Sequence, residues 1–151
     1  MGLFFSLRPP FFSAFCVFMF SSCPSIADRA LTGVIMGAAM EAHNPLGPDL
    51  LESTCEECLA REFELRGIHY DRQKPVPVVF NDGKLDCGYR TDLVVQGQVV
   101  VERKAVENLA RIHEAIVLTY LRLSGCRIGL LINCNVLALK QGIRRCRISK
   151  D

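Results

Sequence analysis

Residues 90–104, RTDLVVQGQVVVERK, are the stretch that most constrains the fold. Two apolar runs flank a Gln-Gly-Gln centre, which predicts a β-hairpin. The second run is apolar on both alternating faces, so we expect the sheet to be covered on both sides. The far ends of the hairpin nevertheless carry Asp92, Glu102 and Lys104. Because charges buried without partners are costly, we expect these three groups to converge on one spot.

The length of the hairpin loop decides whether those charges meet. A two-residue turn would put Asp92 and Glu102 on opposite faces of the sheet, because a slip of one residue exchanges faces. A three-residue loop brings Asp92 opposite Glu102, and Gly97 is available for the left-handed conformation that such loops use. We therefore predict the three-residue or a bulged register, with Lys104 on the same face.

A cluster of two carboxylates and a lysine has a chemistry of its own. Two close carboxylates repel each other and raise one another's pKa, a cost that a hard divalent cation removes. Carboxylate oxygens suit Mg²⁺, and a lysine beside the metal can polarise or deprotonate a water for attack on phosphorus. The alternative is a ladder of surface ion pairs on an exposed strand face. The apolar character of both strand faces favours the metal site.

The rest of the chain predicts the element order α-α-β-β-β-α-β-α, since hydrophobic periodicity is broken by glycine and proline. A length of 151 residues fits one domain with a real core. The third helix is apolar nearly all round, which predicts that it is buried. The first strand contains prolines, which predicts an irregular or edge strand. The predicted helices are 29–43, 50–66, 109–124 and 136–143, and the predicted strands are 68–80, 85–95, 98–104 and 126–133.

The second predicted helix supplies a further acid. Glu52 shares a helical side with Leu59 and Phe63, so it borders the apolar stripe. It is either an acid favoured by the helix dipole or an additional ligand of metal or water. Glu56 and Glu57 point away from that stripe, and we expect both to be solvated.

Residues 1–26 differ in composition from the remainder of the chain. Seven of the nine phenylalanines lie there. The apolar run is too short to span a bilayer. With the following SSCPSIA it resembles a secretory signal, with Cys23 as a candidate for lipid attachment. The other interpretation is an upstream stretch included by a misplaced start. We expect the folded domain to span residues 27–151, in the cytoplasm unless the segment is a genuine export signal.

Charge and cysteines leave other classes open. A net charge of +2 predicts no general affinity for nucleic acid or membrane. The eight cysteines include a pair, Cys55 and Cys58, that can be redox-active or metal-binding, although small core thiols fit the helical pattern better. Basic residues near the C-terminus form either a solvated, frayed tail or a phosphate-contacting patch. They are Lys140, Arg144, Arg145, Arg147 and Lys150.

Asp92 followed by Glu102-Arg103-Lys104, after a helix that carries a glutamate, resembles the PD-(D/E)xK nucleases. More closely, the body of the chain is similar to the small family named after its GxxExxY motif. The resemblance covers about residues 30–145. The matching stretches are LTGVIMGAAMEAH, LGPDLLES, DRQKPVPV, LDCGYRTDLVV, VVVERKAVE, HEAIVLTYL and GLLINCNV.

The resemblance implies an α/β fold of the restriction-endonuclease type, with an αβββαβ core and a mixed central sheet flanked by helices. It also implies a Mg²⁺-dependent phosphodiesterase site, in which Mn²⁺ can replace Mg²⁺. Asp92 and Glu102 would hold the metal, Lys104 would act on the water, and Glu52 would assist from the first motif. The implied partner is nucleic acid, DNA rather than RNA.

The chain departs from the family pattern at three positions. Asp49 and Cys55 stand where the motif has its glycine and its tyrosine. Ile116 replaces the glutamine of a Gln-x-x-x-Tyr that related nucleases often carry, although its tyrosine is present as Tyr120. His113 shares a helix side with Tyr120. These two side chains either contact a substrate phosphate or base, or pack in the core.

Three functions from different classes follow. The first is a metal-dependent nuclease or nuclease-like enzyme that hydrolyses phosphodiester bonds. The second is a nucleic-acid-binding or partner-binding module that keeps the fold without turnover. The third is an exported disulfide-bonded or redox protein, supported only by the N-terminal segment and the cysteine pair. The charged hairpin favours the first.

Overall fold

The computed structural model describes residues 25–149. Helix α1 begins at Ile26, one residue before the predicted start of the domain. Ser25 caps it, because its hydroxyl accepts from the Asp28 N–H while the Asp28 carboxylate accepts from the Ser25 N–H. The segment proposed as a signal, with Cys23, otherwise lies outside the described residues. The helices are α1 (Ile26–His43), α2 (Glu52–Leu65) and α3 (Arg111–Ser124), with a 3-10 turn at Leu139–Gly142.

Five strands form a mixed sheet in the order β1-β4-β5-β6-β7, and β2 pairs with β3 in a separate small hairpin. β5 and β6 are parallel, and the other neighbours in the large sheet are antiparallel. The strands are β1 (Tyr70–Pro75), β2 (Val78–Phe80), β3 (Gly83–Leu85), β4 (Arg90–Val95), β5 (Val99–Lys104), β6 (Ile128–Asn133) and β7 (Ile143–Arg147). The predicted irregular strand 68–80 is thus an edge strand followed by one arm of the small hairpin.

Helices cover both faces of the large sheet. The core cluster under α1 and α2 includes Phe63 and Val101, whereas the cluster under α3 includes Val100 and Leu121. Successive residues of a strand point to opposite faces, so the valine run of β5 feeds both cores. Gly129 lets α3 approach β6, since a Cβ there would lie 2.5 Å from Val117 Cγ1. The predicted α/β fold, a mixed sheet flanked by helices, is confirmed.

Helix α3 is amphipathic, so the prediction of a helix buried all round was wrong. Val117, Tyr120 and Leu121 are buried, whereas Ile112 is 61% exposed. The helix lies on the outer side of the sheet and turns one face to solvent. Its outward apolar residues misled the composition argument, which cannot distinguish a covered side from an exposed one.

The basic C-terminal segment is a strand, so the predicted final helix and frayed tail were wrong. Only the 3-10 turn Leu139–Gly142 lies in the predicted helix, and Ile143–Arg147 pairs antiparallel with β6. Cys146 packs in the core under α3, whereas Arg144 and Arg145 are exposed. One buried residue among arginines carries almost no strand signal. Lys150 lies outside the described residues.

Two further findings bear on the open classes. No helix in residues 25–149 is long and apolar enough to cross a membrane. The described cysteines are free thiols, and four of them are buried, as the core-thiol interpretation predicted. Cys58 is half-buried and Cys87 is exposed, so these two do not follow that prediction.

Candidate active site

The hairpin loop has the length that brings the predicted charges together. Val95 pairs with Val99 across three loop residues. Gly97 in that loop has φ +64°, in the left-handed region. The same register puts Asp92 opposite Glu102 on the α3 side of the sheet. The predicted three-residue loop is therefore confirmed.

Asp92 and Glu102 share one end of β4 and β5. The Asp92 N–H donates to Glu102 Oε2 at 3.5 Å, and Asp92 Oδ2 accepts from the Arg103 N–H at 2.9 Å. Only 4% of Glu102 is exposed. Burial, and after it the charge on Asp92, raise the pKa of Glu102 to about 7. This is the behaviour expected of two carboxylates held close together in a poorly solvated place.

Lys104 contacts two acids, Glu102 of its own strand and Glu52 of α2. Its Nζ lies 3.4 Å from Glu102 Oε1 and 3.4 Å from Glu52 Oε1. Burial by itself lowers the pKa of Lys104, but the carboxylates of Glu102, Glu52 and Asp92 outweigh burial and raise it. Lys104 is therefore cationic at neutral pH.

Glu52 reaches this place from α2, of which it is the first residue. Its side chain is 43% exposed, so it forms the outer rim of the site. The four residues predicted to carry the chemistry are thus brought together at the ends of two strands. We call them the strand-end cluster: Glu52, Asp92, Glu102 and Lys104.

Glu56 is buried, so the prediction that it is solvated was wrong. Its Oε2 lies 2.6 Å from Arg103 Nη2, and its Oε1 lies 3.0 Å from Arg72 Nε. Burial by itself raises the pKa of Glu56, but Arg103 and Arg72 outweigh it and hold that pKa below its usual value. Helical periodicity placed Glu56 off the apolar stripe. Glu56 packs on the side chain of Arg103, a contact that helical periodicity cannot reveal.

Arg103 is a site residue for which the sequence argument predicted no role. Its side chain is 2% exposed, and its Nη2 lies 3.2 Å from Asp92 Oδ2. A signal was available, because Val99 and Val101 face the core under α2 and a residue two positions on faces it too. We call the charged residues on this side the helix-side cluster: Glu56, Glu57, Arg72 and Arg103.

The two clusters differ in charge. The helix-side cluster has two acids and two arginines, joined by ion pairs. The strand-end cluster has three acids and one lysine. With every group ionised, the strand-end cluster therefore carries an excess of two negative charges, which is the charge that one divalent cation neutralises.

Tyr120 approaches the strand-end cluster from α3. Burial, and after it the charges on Glu102 and Asp92, raise the pKa of Tyr120. Its ring meets that of Tyr89 edge-on, with the centroids 6.3 Å apart. Both rings line a surface pocket that also includes Ile116, the residue at the position of the family glutamine. An aromatic and apolar wall therefore adjoins the carboxylates.

His113 is tied to the start of α3. Its Nδ1 accepts from the Ala110 N–H at 2.9 Å, which satisfies a backbone donor at the helix terminus. In residues 25–149, this ring bonds to the backbone rather than to the strand-end cluster. A role for His113 in substrate binding stays a prediction, as does that of Tyr120.

The two departures from the GxxExxY motif have structural accounts. Asp49 has φ +68°, so the backbone keeps the left-handed conformation that glycine favours. Cys55 is buried and lines a small cavity of about 20 Å³ together with Arg103 and Cys134. The missing tyrosine thus concerns packing on the α2 side rather than the strand-end cluster.

The donor set fits a divalent cation of the Mg²⁺ type. Within the described part of the chain, no group of three or more His, Cys, Asp or Glu side chains is arranged to hold a metal ion. Mg²⁺ is commonly held by one or two carboxylates, with waters and substrate phosphate in its remaining positions. Asp92 and Glu102 are two carboxylates of this kind, close together at one end of the sheet.

Comparisons with known proteins bear on the family. Searches of curated proteins and of solved structures found no match. The family model of the PD-(D/E)XK nuclease superfamily matches residues 29–146, which is more than half of the chain and contains both clusters. The chain therefore belongs to the PD-(D/E)XK nuclease superfamily.

Proposed function

We propose that the chain is a Mg²⁺-dependent nuclease-like hydrolase of the GxxExxY family within this superfamily. PD-(D/E)XK nucleases act on nucleic acid and generally use divalent metal ions. The observation that carries the proposal is the convergence of Asp92, Glu102 and Lys104, in a cluster with two negative charges more than its lysine balances.

Asp92 and Glu102 would hold the cation. A Mg²⁺ ion held there would supply Lewis-acid chemistry, which lowers the pKa of a bound water and stabilises charge on a phosphate oxygen. Glu102 then acts as a carboxylate rather than a carboxylic acid, although burial and Asp92 raise its pKa to about 7. Asp92 and Glu102 approach from neighbouring strands, so a rigid sheet rather than a loop fixes their separation.

Lys104 would orient and polarise the attacking water. The surrounding carboxylates raise its pKa, so its ammonium group stays protonated and donates hydrogen bonds. Glu102 and Glu52 each lie 3.4 Å from Nζ and hold it at the strand ends. A third donor of the ammonium group remains for a water or a phosphate oxygen. Glu52 assists by fixing this lysine.

Two observations support the finer assignments. The left-handed backbone of Asp49 keeps the glycine conformation of the GxxExxY motif, although the residue differs. The wall formed by Tyr89 and Tyr120 offers aromatic surface beside the carboxylates, which suits contact with a nucleobase. We therefore propose nucleic acid as the substrate; the preference for DNA over RNA comes from the resemblance described above.

A cleavage assay tests the proposal. The full chain is incubated with single-stranded DNA, double-stranded DNA and RNA, in Mg²⁺ or Mn²⁺ and in excess chelator. We expect cleavage with metal, none with chelator, and recovery when Mg²⁺ is restored. The variant Asp92→Asn/Glu102→Gln, purified in the same way, excludes a contaminating nuclease. Equal cleavage by that variant would refute the site.

The alternative function is a binding module without turnover. It is supported by Ile116, which stands beside Tyr120 where related nucleases often have a glutamine. An apolar residue there removes a hydrogen-bonding group from the pocket wall. A chain that binds DNA in a gel-shift assay without cleaving it under any divalent metal would therefore be a binding module of the same fold.

A further inference from the structure

Arg103 lies between two residues of the strand-end cluster in sequence, but its side chain points to the other side of the sheet. The side chain is 2% exposed. A buried guanidinium group is costly unless its charge is paired. Within the described residues Nε of Arg103 has no hydrogen-bond partner, so the two terminal nitrogens make the stabilising contacts. The role of Arg103 can therefore be inferred from the groups that its guanidinium contacts.

Those partners include Asp92 twice. The Arg103 N–H donates to Asp92 Oδ2 at 2.9 Å, and Arg103 Nη2 lies 3.2 Å from the same oxygen. Both contacts use Oδ2, so neither occupies Oδ1. One residue thus fixes the Asp92 carboxylate through its backbone and its side chain, and neither contact uses the second carboxylate oxygen.

Glu56 balances the charge of Arg103. The same Nη2 lies 2.6 Å from Glu56 Oε2, which is closer than it lies to Asp92. An unbalanced guanidinium beside Asp92 would compete with a metal ion for that carboxylate. Arg103 Nη1 also donates to the Glu52 carbonyl oxygen at 3.0 Å, which ties the start of α2 to the same group.

We propose that Arg103 is a positioning residue, which orients Asp92 for a divalent cation. Glu56 neutralises the charge of Arg103. The inference rests on the metal site proposed above. Loss of a residue that hydrogen-bonds to a metal ligand typically lowers metal affinity by about 10- to 100-fold.

The test must separate positioning from stability. Arg103→Met alone leaves Glu56 buried without its closest partner and destabilises the fold. Glu56→Met/Arg103→Met replaces both side chains with apolar ones of similar length, and Arg72, which also pairs with Glu56, keeps its ion pair with Glu57. Such replacements are often neutral for stability. The matched control is Glu62→Met/Arg66→Met, which removes an ion pair of 2.8 Å at the end of α2 away from Asp92.

Binding of Mn²⁺ to the full chain is measured by electron paramagnetic resonance of the free ion, with Mg²⁺ as competitor and thermal unfolding in parallel. We expect Glu56→Met/Arg103→Met to bind Mn²⁺ about tenfold or more weakly at a near-normal unfolding temperature, and the control pair to bind as wild type does. Wild-type affinity in Glu56→Met/Arg103→Met would overturn the positioning role and leave the metal site standing. Failure of wild type to bind either ion would overturn both.

Discussion

At the C-terminal end of β5, acidic and basic side chains lie on both faces of the sheet, but the two groups serve different purposes. On the α2 side, Glu56 and Arg103 lie 2.6 Å apart and each acid has a cation to match. On the α3 side, Glu102 has one lysine at 3.4 Å and a second carboxylate opposite. Balanced charges stabilise a fold, whereas an uncompensated excess of negative charge favours binding of a proton or a cation. We therefore assign a supporting role to the helix-side cluster and propose that the strand-end cluster carries the chemistry.

The largest effect is expected from Lys104→Ala. The change removes the only cation of the strand-end cluster, so cleavage should fall by about 100-fold or more. Metal binding should be kept, because the two carboxylates remain. Cleavage and Mn²⁺ binding are measured on the same preparation. Lys74→Ala, which removes an exposed ion pair with Asp71, is the control and should cleave normally. A normal rate in Lys104→Ala would put the chemistry elsewhere.

Asp92→Asn should reduce affinity for the metal by about tenfold or more, since a neutral amide replaces a charged oxygen ligand. It also leaves Arg103 with a weaker second partner, so a small loss of stability accompanies it. Titration with Mn²⁺ and thermal unfolding measure the two effects separately. If affinity is unchanged while stability falls, Asp92 belongs with the supporting cluster instead.

The pH dependence of stability tests the raised pKa of Glu102. An acid whose pKa rises on folding, here from 4.5 to about 7, holds its proton more tightly when folded. Its contribution is therefore present at low pH and is lost as the pH rises through 7. In chelator, the free energy of unfolding should be about 1 kcal/mol lower at pH 8 than at pH 6. Urea unfolding of wild type and Glu102→Gln measures this, and the same decrease in both would contradict it.

Glu57→Gln should have the smallest effect. Its side chain is 67% exposed and it pairs with Arg72, which also pairs with Glu56. Exposed ion pairs contribute at most about 1 kcal/mol, so stability, metal binding and cleavage should all stay near the wild-type values. A tenfold loss of cleavage would show that the outer part of the helix-side cluster is not merely supporting.

The sequence predicted the strand-end cluster better than the helix-side cluster, and the reason is physical. Strand periodicity is two, so a register argument on Asp92 and Glu102 needed only the loop length to predict that they meet. Glu56 and Arg103 come from a helix and a strand, and no periodicity relates them across the interior. Their pairing became visible only once α2 was packed on the sheet.

The fold shows the same division. The two-faced valine run correctly predicted a sheet covered on both sides, because burial is a property of that segment itself. Strand β7 was missed because its pairing with β6, rather than its own composition, makes it a strand. The prediction that helix α3 is buried failed because composition does not reveal which apolar residues pack in the core and which, such as Ile112, stay exposed.

The loop around Gly97 lies at the opposite end of the hairpin from the strand-end cluster, and its residues 96–98 are exposed. Exposed turns ordinarily tolerate insertions and deletions. Here an odd or even change in loop length decides whether Asp92 is on the same face as Glu102 or the opposite one. The turn lies away from the strand-end cluster, yet its length sets which face of the sheet Asp92 shares. A surface position that a map of contacts would mark as expendable is therefore as intolerant of a one-residue indel as the core.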